Sequence, residues 1–386
     1  MTIYALFWSA SLLTALGIRR RVATGVFLFV VFVFIGLRLD TGFDWPVYKS
    51  IFQDFQREFS LVRIAIYSQL YGQEPGFLFL LGLSSQYFQN FEVFQAFVTF
   101  TLLWSTALLT RTAGVKEVAL VVAIAMTFLM CSVGFSILRQ SLAISFFNFG
   151  LVCFLRKRPW WGGVLFFLST MFQLSSVVYI VAYIVSRMAW RGTNPPAIGT
   201  FLIATLAASV MAPVGMIAIS SVSSLAASKL EFYLTTQTLL SRGPTDLLFM
   251  LFFGAAALMV SGSMVKPGVQ SPFANQLRRL IMVLAAIGVA SSFLTVLRDR
   301  VSNELFILIS VYLLMSGLRY RWYFVAFFVT FGLVNSLILI APLPNNLAFA
   351  PYQNVIVSYV MNQPSTGPDR SAAFFQIFSE MNALLR

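Results

Sequence analysis

Apolar residues follow one another in long runs along this chain, and short groups of charged, Pro or Gly residues separate the runs. A helix needs roughly 20 apolar residues to cross the ~30 Å hydrocarbon core of a bilayer. The runs therefore predict an all-α, polytopic integral membrane protein with about 12 transmembrane helices. With ends defined to within several residues, the predicted spans are 2–18, 22–37, 91–110, 118–137, 140–155, 160–172, 174–187, 196–219, 246–263, 280–297, 302–317 and 322–340.

Three further segments complete the predicted topology. Residues 75–88 are apolar but too short for a full crossing, so we expect a re-entrant or interfacial helix there. The polar segment 38–74 is expected to be a large extracytoplasmic loop, and 341–386 an extracytoplasmic C-terminal tail. Residues 1–340 then form a single transmembrane helical domain.

Basic residues decide the orientation, because Lys and Arg concentrate in short cytoplasmic loops. With these spans, fifteen of the 26 Lys and Arg residues fall on one side together with a single acid, Glu117. This places the N-terminus outside, and it requires two short helices at 160–172 and 174–187 rather than one long helix. The residues assigned to the cytoplasmic side are Arg19, Arg20, Arg21, Arg111, Lys116, Arg156, Lys157, Arg158, Arg187, Arg191, Lys266, Arg278, Arg279, Arg319 and Arg321.

The composition restricts the chemistry that this chain can perform. Hydrophobic residues make up 59% of the 386 residues and charged residues 10%, which excludes a water-soluble fold. The chain has no His, and Cys131 and Cys153 lie in separate apolar runs, so neither a zinc site nor a disulfide framework is expected. The net charge of +13 lies in cytoplasmic loops and indicates anionic lipid, not nucleic acid. Any catalysis must therefore use carboxylates, arginines, hydroxyls and the backbone.

Arginines stand at three places where an apolar run meets a polar segment on the outer side, namely at Arg38, at Arg139 and at the pair Arg298 and Arg300. One interpretation is structural, because an arginine stem lies along the membrane while its guanidinium reaches the headgroups. The other is a phosphate site, because the planar guanidinium matches two phosphate oxygens and stays charged. The orientation rule disfavours outer arginines, so the set favours a phosphate or pyrophosphate site and an anionic lipid substrate.

The densest group of polar and aromatic residues follows the second predicted span and contains Asp40, Asp44, Trp45 and Tyr48. In a structural interpretation Asp44 caps the next helix and the aromatic rings lie in the membrane interface. In a functional interpretation an aspartate acts as general base or pairs with Arg38, and the rings stack on a sugar. A divalent cation between the two aspartates is a weaker possibility, because further ligands are missing.

Three fragments, in this order, resemble the EpsG/Wzy group of bacterial O-antigen and exopolysaccharide polymerases. They are GLR-x(3)-GFD-x(3)-Y at 36–48, EPGF at 74–77 and ILRQSLAISFF at 137–147. The likeness continues more thinly through RDRVS at 298–302 and PYQN at 351–354. Many relatives carry a His near the position of Gln173, and this chain has none. We expect Gln173 or Ser175 to take over a hydrogen-bonding role.

The resemblance implies a metal-independent glycosyltransferase, facing the outside of the bacterial inner membrane, that needs no cofactor. It would transfer a growing glycan from undecaprenyl pyrophosphate onto an incoming lipid-linked unit. The implied partners are this lipid-linked oligosaccharide, the bilayer, a flippase and a chain-length regulator. A flippase for the same lipid and an O-antigen-ligase-type enzyme remain alternatives, although charges confined to helix ends argue against a translocation path.

The resemblance also implies residue roles. Asp44 is the favoured base or acceptor-orienting group and Glu74 the second carboxylate, although an acid before Pro75 also suits a plain helix start. The expected catalytic residues are Asp44, Arg38, Arg139 and Glu74. The residues expected to bind pyrophosphate are Arg139, Arg298, Arg300 and Gln140. The residues expected to bind sugar are Tyr48, Trp45, Asp40 and Gln173.

Overall fold

The computed structural model contains helices and no β-strand in the part of the chain that it describes. That part comprises residues 2–17, 21–130, 137–188, 244–261, 272–292, 295–315, 320–340, 352–361 and 365–370, with a few isolated positions. The helices are α1 (Thr2–Gly17), α2 (Arg21–Gly36), α3 (Trp45–Arg57), α4 (Leu61–Tyr71), α5 (Pro75–Tyr87), α6 (Phe91–Thr112), α7 (Val118–Leu129), α8 (Leu138–Leu155), α9 (Pro159–Phe172), α10 (Val177–Met188), α11 (Pro244–Val260), α12 (Pro272–Ala290), α13 (Thr295–Met315), α14 (Arg321–Ile340) and α15 (Val355–Val360).

Several helices have the length and apolar composition of membrane spans. Among the described residues four qualify fully: Phe91–Thr112, Leu138–Leu155, Pro272–Ala290 and Arg321–Ile338. Shorter apolar helices accompany them at Phe7–Leu16, Arg21–Gly36, Val118–Leu129, Leu174–Met188 and Asp246–Val260. The all-helical membrane protein is thus supported, while the number of 12 crossings stays a prediction. The predicted span 196–219 lies almost wholly outside the described residues.

Gln173 separates two helices, as predicted from the placement of the basic residues on one side of the membrane. α9 ends at Phe172, Gln173 has an extended backbone (φ −155°, ψ 111°), and a 3₁₀ turn, Leu174–Ser176, leads into α10. The predicted division at this position is therefore confirmed.

The boundary between α12 and α13 differs from the predicted spans 280–297 and 302–317. α12 already ends at Ala290, where the hydroxyl of Ser291 donates to the carbonyl of Gly288 and the amide of Ser292 donates to that of Val289. Such serine-rich turns compete with helix continuation. The next helix then begins at Thr295, so the arginines that were expected in an outer turn lie in the first turns of α13.

The larger of two apolar cores, the main core, surrounds α7. Every residue of Val118–Leu129 is buried, because this helix has no polar face to present to solvent. Phe128 of α7 stacks on Phe306 of α13 with 4.7 Å between ring centroids, and Phe252 of α11 stacks on Phe331 of α14 with 4.5 Å. The main core thus joins four helices through stacked phenylalanines.

The second core, the outer core, is built on segment 38–74, which forms two helices rather than an irregular loop. The buried side of α3 carries Trp45, Tyr48, Phe52 and Phe55 at the spacing of one helix face. These side chains pack with Phe77 of α5 and with residues of α6 and α8. The outer core thereby fixes α3 against the starts of α5 and α8.

The described part of the C-terminal tail comprises residues 352–361 and 365–370, which we call the C-terminal segment, and it packs on the end of α2. Arg38 and Asn354 form an isolated antiparallel bridge. The amide of Leu39 donates to the carbonyl of Gln353 at 2.9 Å, and the Tyr352 ring stacks on Phe34 with 4.5 Å between centroids. Main-chain hydrogen bonds and ring packing therefore hold this segment against the chain that leads into α3.

Candidate active site

Glu74 and Arg139 form a largely buried ion pair between two helix starts. Arg139 Nη1 lies 2.5 Å from Glu74 Oε2, and the two side chains are 12% and 2% exposed. Glu74 is the N-cap of α5, directly before Pro75, and Arg139 is in the first turn of α8. Gly76 allows α5 to pack closely on α9, because a Cβ there would stand 2.7 Å from the Met171 Cβ of α9. The EPGF fragment thus holds Glu74 close to α8 and α9.

Tyr48 continues the ion pair towards α3. Arg139 Nε donates to Tyr48 Oη at 3.0 Å, and Tyr48 Oη donates to Asp44 Oδ2 at 3.0 Å. Asp44 is the N-cap residue of α3, yet its side chain makes no capping hydrogen bond. The aspartate therefore stands at the predicted cap position but directs its carboxylate to Tyr48. We call Asp44, Tyr48, Arg139 and Glu74 the Arg139 chain.

The protonation of Tyr48 follows from its surroundings. Burial raises the pKa of this phenol above its ordinary value, although the Arg139 guanidinium acts in the opposite direction. The phenol therefore stays protonated at neutral pH. Tyr48 can accept from Arg139 and donate to Asp44 at the same time, so it fixes the separation of the two charged groups.

The turn after α9 meets the other end of the Arg139 chain. The Leu174 amide donates to Glu74 Oε1 at 3.0 Å. Beside it, Gln173 Oε1, Ser175 Oγ and Ser176 Oγ are buried and have no hydrogen-bond partner within the described ranges. Because buried polar atoms are nearly always hydrogen-bonded, this turn has unused capacity for water or a hydroxyl-bearing ligand. The predicted sugar-binding residue Gln173 thus lies next to Glu74.

Gln140, which follows Arg139, joins α8 to α10 and α13. Its Nε2 donates to Tyr179 Oη and to the Arg300 carbonyl, both at 3.2 Å. Its Oε1 accepts from Asn303 Nδ2 at 3.1 Å and from Arg300 Nη1 at 3.4 Å. Gln140 is fully buried, and its amide is occupied by these partners. Its observed role is to hold the Arg300 side chain beside the start of α8.

Arg298 has partners of its own. Its Nη1 pairs with Asp246 of α11, and its Nε lies 3.0 Å from Asp299 Oδ1. The guanidinium carbon also lies 4.2 Å from the centroid of the Phe249 ring. These contacts link α11 to α13, and none of them is shared with the Arg139 chain.

Arg38 also lies in surroundings of its own. It is fully buried, with Nη1 donating to the Ile35 carbonyl at 2.8 Å and Nε to the Thr41 carbonyl at 3.3 Å. Burial lowers the pKa of Arg38 to about 9, against the opposing influence of Tyr352 and Tyr4, so the side chain stays charged at neutral pH. The expected pairing of Arg38 with Asp44 is not among these contacts; Arg38 holds the bend that follows α2.

Asp40 and Trp45 are the remaining residues that are predicted to bind sugar. Asp40 has a left-handed backbone (φ 45°), and its carboxylate accepts from Lys49 at 3.0 Å and from Ser365 of the C-terminal segment at 2.7 Å. Trp45 is buried in the outer core, with Lys49 Nζ 5.7 Å from its ring centroid. Both residues stabilise the segment before α3, and their roles in sugar binding remain predictions.

Three residues of the site were not anticipated from the sequence. Tyr179 and Asn303 serve the Gln140 network, and Asp246 pairs with Arg298. Of these, Asp246 carried a usable signal, because an acid at the start of an apolar helix in a strongly basic chain needs a partner. No group of three or more carboxylate or cysteine side chains that could hold a metal ion occurs among the described residues.

Comparison with known proteins agrees with the order of these fragments. No curated protein and no solved structure matches the chain. The sequence model of the EpsG family, however, matches residues 22–354, which include all the fragments that meet at this site and end at Asn354 of the bridge with Arg38. The match covers most of the chain. The chain therefore belongs to the EpsG family, a family of Wzy-type polymerases.

Proposed function

We propose that this protein is a glycan polymerase that transfers a growing oligosaccharide from undecaprenyl pyrophosphate onto the sugar of an incoming lipid-linked unit. Membership of the EpsG family supports a polysaccharide polymerase-type function. The donor, the direction of transfer and the outer location are inferences from the sequence and from the chemistry of the site.

The observation that carries the proposal is the Arg139 chain. It joins two carboxylates, a guanidinium and a phenol from three distant segments of the chain through hydrogen bonds of 2.5–3.0 Å. A purely structural pair would need only Glu74 and Arg139. The continuation through Tyr48 to a second carboxylate places an acid at a fixed distance from a cation, which suits a reaction with a proton to remove and an anion to stabilise.

The carboxylates of Glu74 and Asp44 differ in how many of their oxygens are already hydrogen-bonded. Glu74 is buried and uses both oxygens, one with Arg139 and one with the Leu174 amide. Asp44 is half-buried and uses Oδ2 with Tyr48. We assign Glu74 to positioning Arg139 and Asp44 to the acceptor, because Asp44 Oδ1 remains able to accept a hydroxyl proton.

The proposed step conserves atoms and electrons. The acceptor hydroxyl oxygen attacks the anomeric carbon of the donor, and its proton passes to Asp44. The bond between the anomeric carbon and the pyrophosphate oxygen breaks, and the electron pair leaves with the pyrophosphate. Arg139, whose Nε and Nη1 are occupied by Tyr48 and Glu74, offers Nη2 to the leaving oxygens. Arg300, which contacts the neighbouring Gln140, is a second candidate. Stabilisation of a developing charge by fixed donors is a large catalytic contribution.

Reconstitution tests the proposal. Purified protein in proteoliposomes, supplied with a lipid-linked oligosaccharide and no ATP, ion gradient or added metal, is expected to produce lengthened chains on a gel. Asp44→Asn should reduce elongation about 100-fold or more, since it removes the proton acceptor. Glu58→Gln is the matched control, because Glu58 lies in the same outer segment, is 61% exposed and pairs with Arg63. Unchanged chain lengths with the wild-type protein would refute a polymerase and favour a flippase, and transfer of whole chains to another acceptor would favour a ligase.

A further inference from the structure

A groove of about 590 Å³ runs between α9 and α10. It exists because α9 packs along α8 while α10 packs along α12, and the two helices meet at the 3₁₀ turn. The rings of Phe154, Phe166 and Tyr183 form its floor, with centroids 5.0–5.2 Å apart. Phe167 and Ile184 form its edges and are 62% and 48% exposed. The groove is therefore an almost wholly apolar cleft with open edges.

One end of this groove lies close to the turn that contacts the candidate active site. Thr170 and Val177 line that end, and each is three residues from the turn residue Gln173 or Leu174. The amide of Leu174 donates to Glu74 of the Arg139 chain. Three residues are about one helical turn, so the groove begins roughly 5 Å along the helix axis from that turn. At the opposite end the groove reaches Arg187, on the side predicted to be cytoplasmic.

We infer that this groove holds the polyprenyl chain of the lipid-linked substrate, with the pyrophosphate at the Arg139 end. The inference rests on the proposed function. A polyprenyl chain is long and apolar, and it must enter sideways from the bilayer while its pyrophosphate stays at the reaction centre. The groove suits both requirements, since its lining is aromatic and aliphatic and its end lies about one helical turn from the turn that contacts Glu74. This proximity favours the substrate chain over an ordinary acyl chain as occupant.

Gly163 provides a way to fill the groove without disturbing the fold. It lies on α9 in the groove wall, and no described atom stands within 4 Å of the position that its Cβ would take. A tryptophan at this position therefore enters open space. Gly25 in α2 is the matched control, because its Cβ position is equally open and lies on another helix. Gly162 is unsuitable, because a Cβ there would stand 2.6 Å from the Phe154 ring.

The test compares donors that carry the same glycan on a long polyprenyl chain or on a two-isoprene chain, with elongation rates measured in proteoliposomes. The wild type and Gly25→Trp should prefer the long-chain donor at least about tenfold, since a two-isoprene chain fills only part of the groove and makes fewer van der Waals contacts with its rings. Gly163→Trp should raise the KM for the long-chain donor about tenfold, towards that of the short-chain donor. If Gly163→Trp does not purify, Ile184→Trp on the opposite edge should give the same result.

Two outcomes would overturn the inference, and a third would contradict the proposed function on which it rests. If Gly163→Trp and Ile184→Trp keep the full long-chain preference of Gly25→Trp, the polyprenyl chain binds elsewhere and membrane lipid occupies the groove. A wild-type protein that elongates both donors equally also overturns it. A wild-type protein that elongates neither donor would instead contradict the proposed polymerase function.

Discussion

Arg139 and Arg298 are chemically alike and are placed very differently. The side chains of Arg298 and Arg139 are 5% and 12% exposed, and each is joined to two carboxylates. Arg139 contacts Glu74 directly and Asp44 through Tyr48, and Arg298 contacts Asp246 and Asp299. The carboxylates around Arg139 come from distant parts of the chain. Around Arg298, one is the neighbouring residue and is 54% exposed.

The two arginines differ in what surrounds them. Arg298 lies on the Phe249 ring and joins α11 to α13. Arg139 stands at the junction of α3, α5 and α8, next to the turn at Gln173, which has buried polar atoms that have no hydrogen-bond partner within the described ranges. This remaining polar capacity is the reason for which we propose the reaction centre at Arg139 and not at Arg298.

Arg139→Lys is expected to have the largest effect. A lysine keeps the charge but cannot hold Glu74, Tyr48 and a leaving oxygen with one planar group. Elongation should fall about 100-fold or more in the proteoliposome assay. The melting temperature of the purified variant should fall about as much as that of Arg298→Lys, because both variants weaken an ion pair that is largely shielded from solvent; a rate near the wild-type value would assign Arg139 a purely structural role.

Tyr48→Phe is expected to have an intermediate effect. It removes the hydroxyl that joins Arg139 to Asp44 but keeps the ring, which packs on Phe77 with 5.0 Å between centroids. Losing hydrogen bonds to two charged groups costs about 1.5–3 kcal/mol, so the rate should fall about 10- to 100-fold. Tyr67→Phe is the matched control, because the Tyr67 hydroxyl donates to Asp54 at 3.0 Å. An equal loss in both variants would point to general destabilisation.

Arg298→Lys is expected to affect stability more than rate. The lysine keeps one charge interaction with Asp246 and loses part of the contact with Phe249. The melting temperature should fall measurably, while elongation should stay within about tenfold of the wild type, as is usual for a weakened ion pair away from a reaction centre. A loss of rate as large as that of Arg139→Lys would support the predicted role of Arg298 in binding pyrophosphate.

Substitution of Lys49 should have the smallest effect. It should change how the stability of the protein depends on pH. Burial acts to lower the pKa of Lys49, but the carboxylates of Glu92 and Asp40 outweigh it, so the pKa lies above its ordinary 10.5. The resulting stabilisation is fully present below pH 10.5 and is lost as the pH rises through the folded-state pKa. Melting temperatures measured from about pH 9 to 12 should fall more steeply for the wild type than for Lys49→Met. Lys116→Met, at an exposed position, should follow the wild type.

Much of the helical architecture could be predicted from the sequence, because apolar runs and their charged ends follow directly from the thickness of a bilayer. The division at Gln173 was predictable from charge alone. The boundary at Thr295 was not, since Ser291 and Ser292 are weak breakers inside a continuing apolar run, and their effect depends on local hydrogen bonds.

Part of the candidate site was also predictable. Asp44, Tyr48, Glu74 and Arg139 were recognisable as fragments in a family order, and the structure brings them into contact. The surroundings of Arg38 were not predictable, because its partners are backbone carbonyls, which no side-chain pattern records. An acid at the start of an apolar helix indicates that Asp246 needs a partner, but the identity of that partner, Arg298, depends on how α11 and α13 pack and was not predictable.

The most direct test of the account is to measure the lipid product together with the new glycosidic bond. Proteoliposomes containing the wild-type protein should release one polyprenyl pyrophosphate, detected by mass spectrometry, for each unit added to the glycan. The Asp44→Asn protein should show neither product above about 1% of the wild-type rate. Elongation by the wild type without release of polyprenyl pyrophosphate, or release by Asp44→Asn at the wild-type rate, would contradict the assignment of the Arg139 chain as the reaction centre.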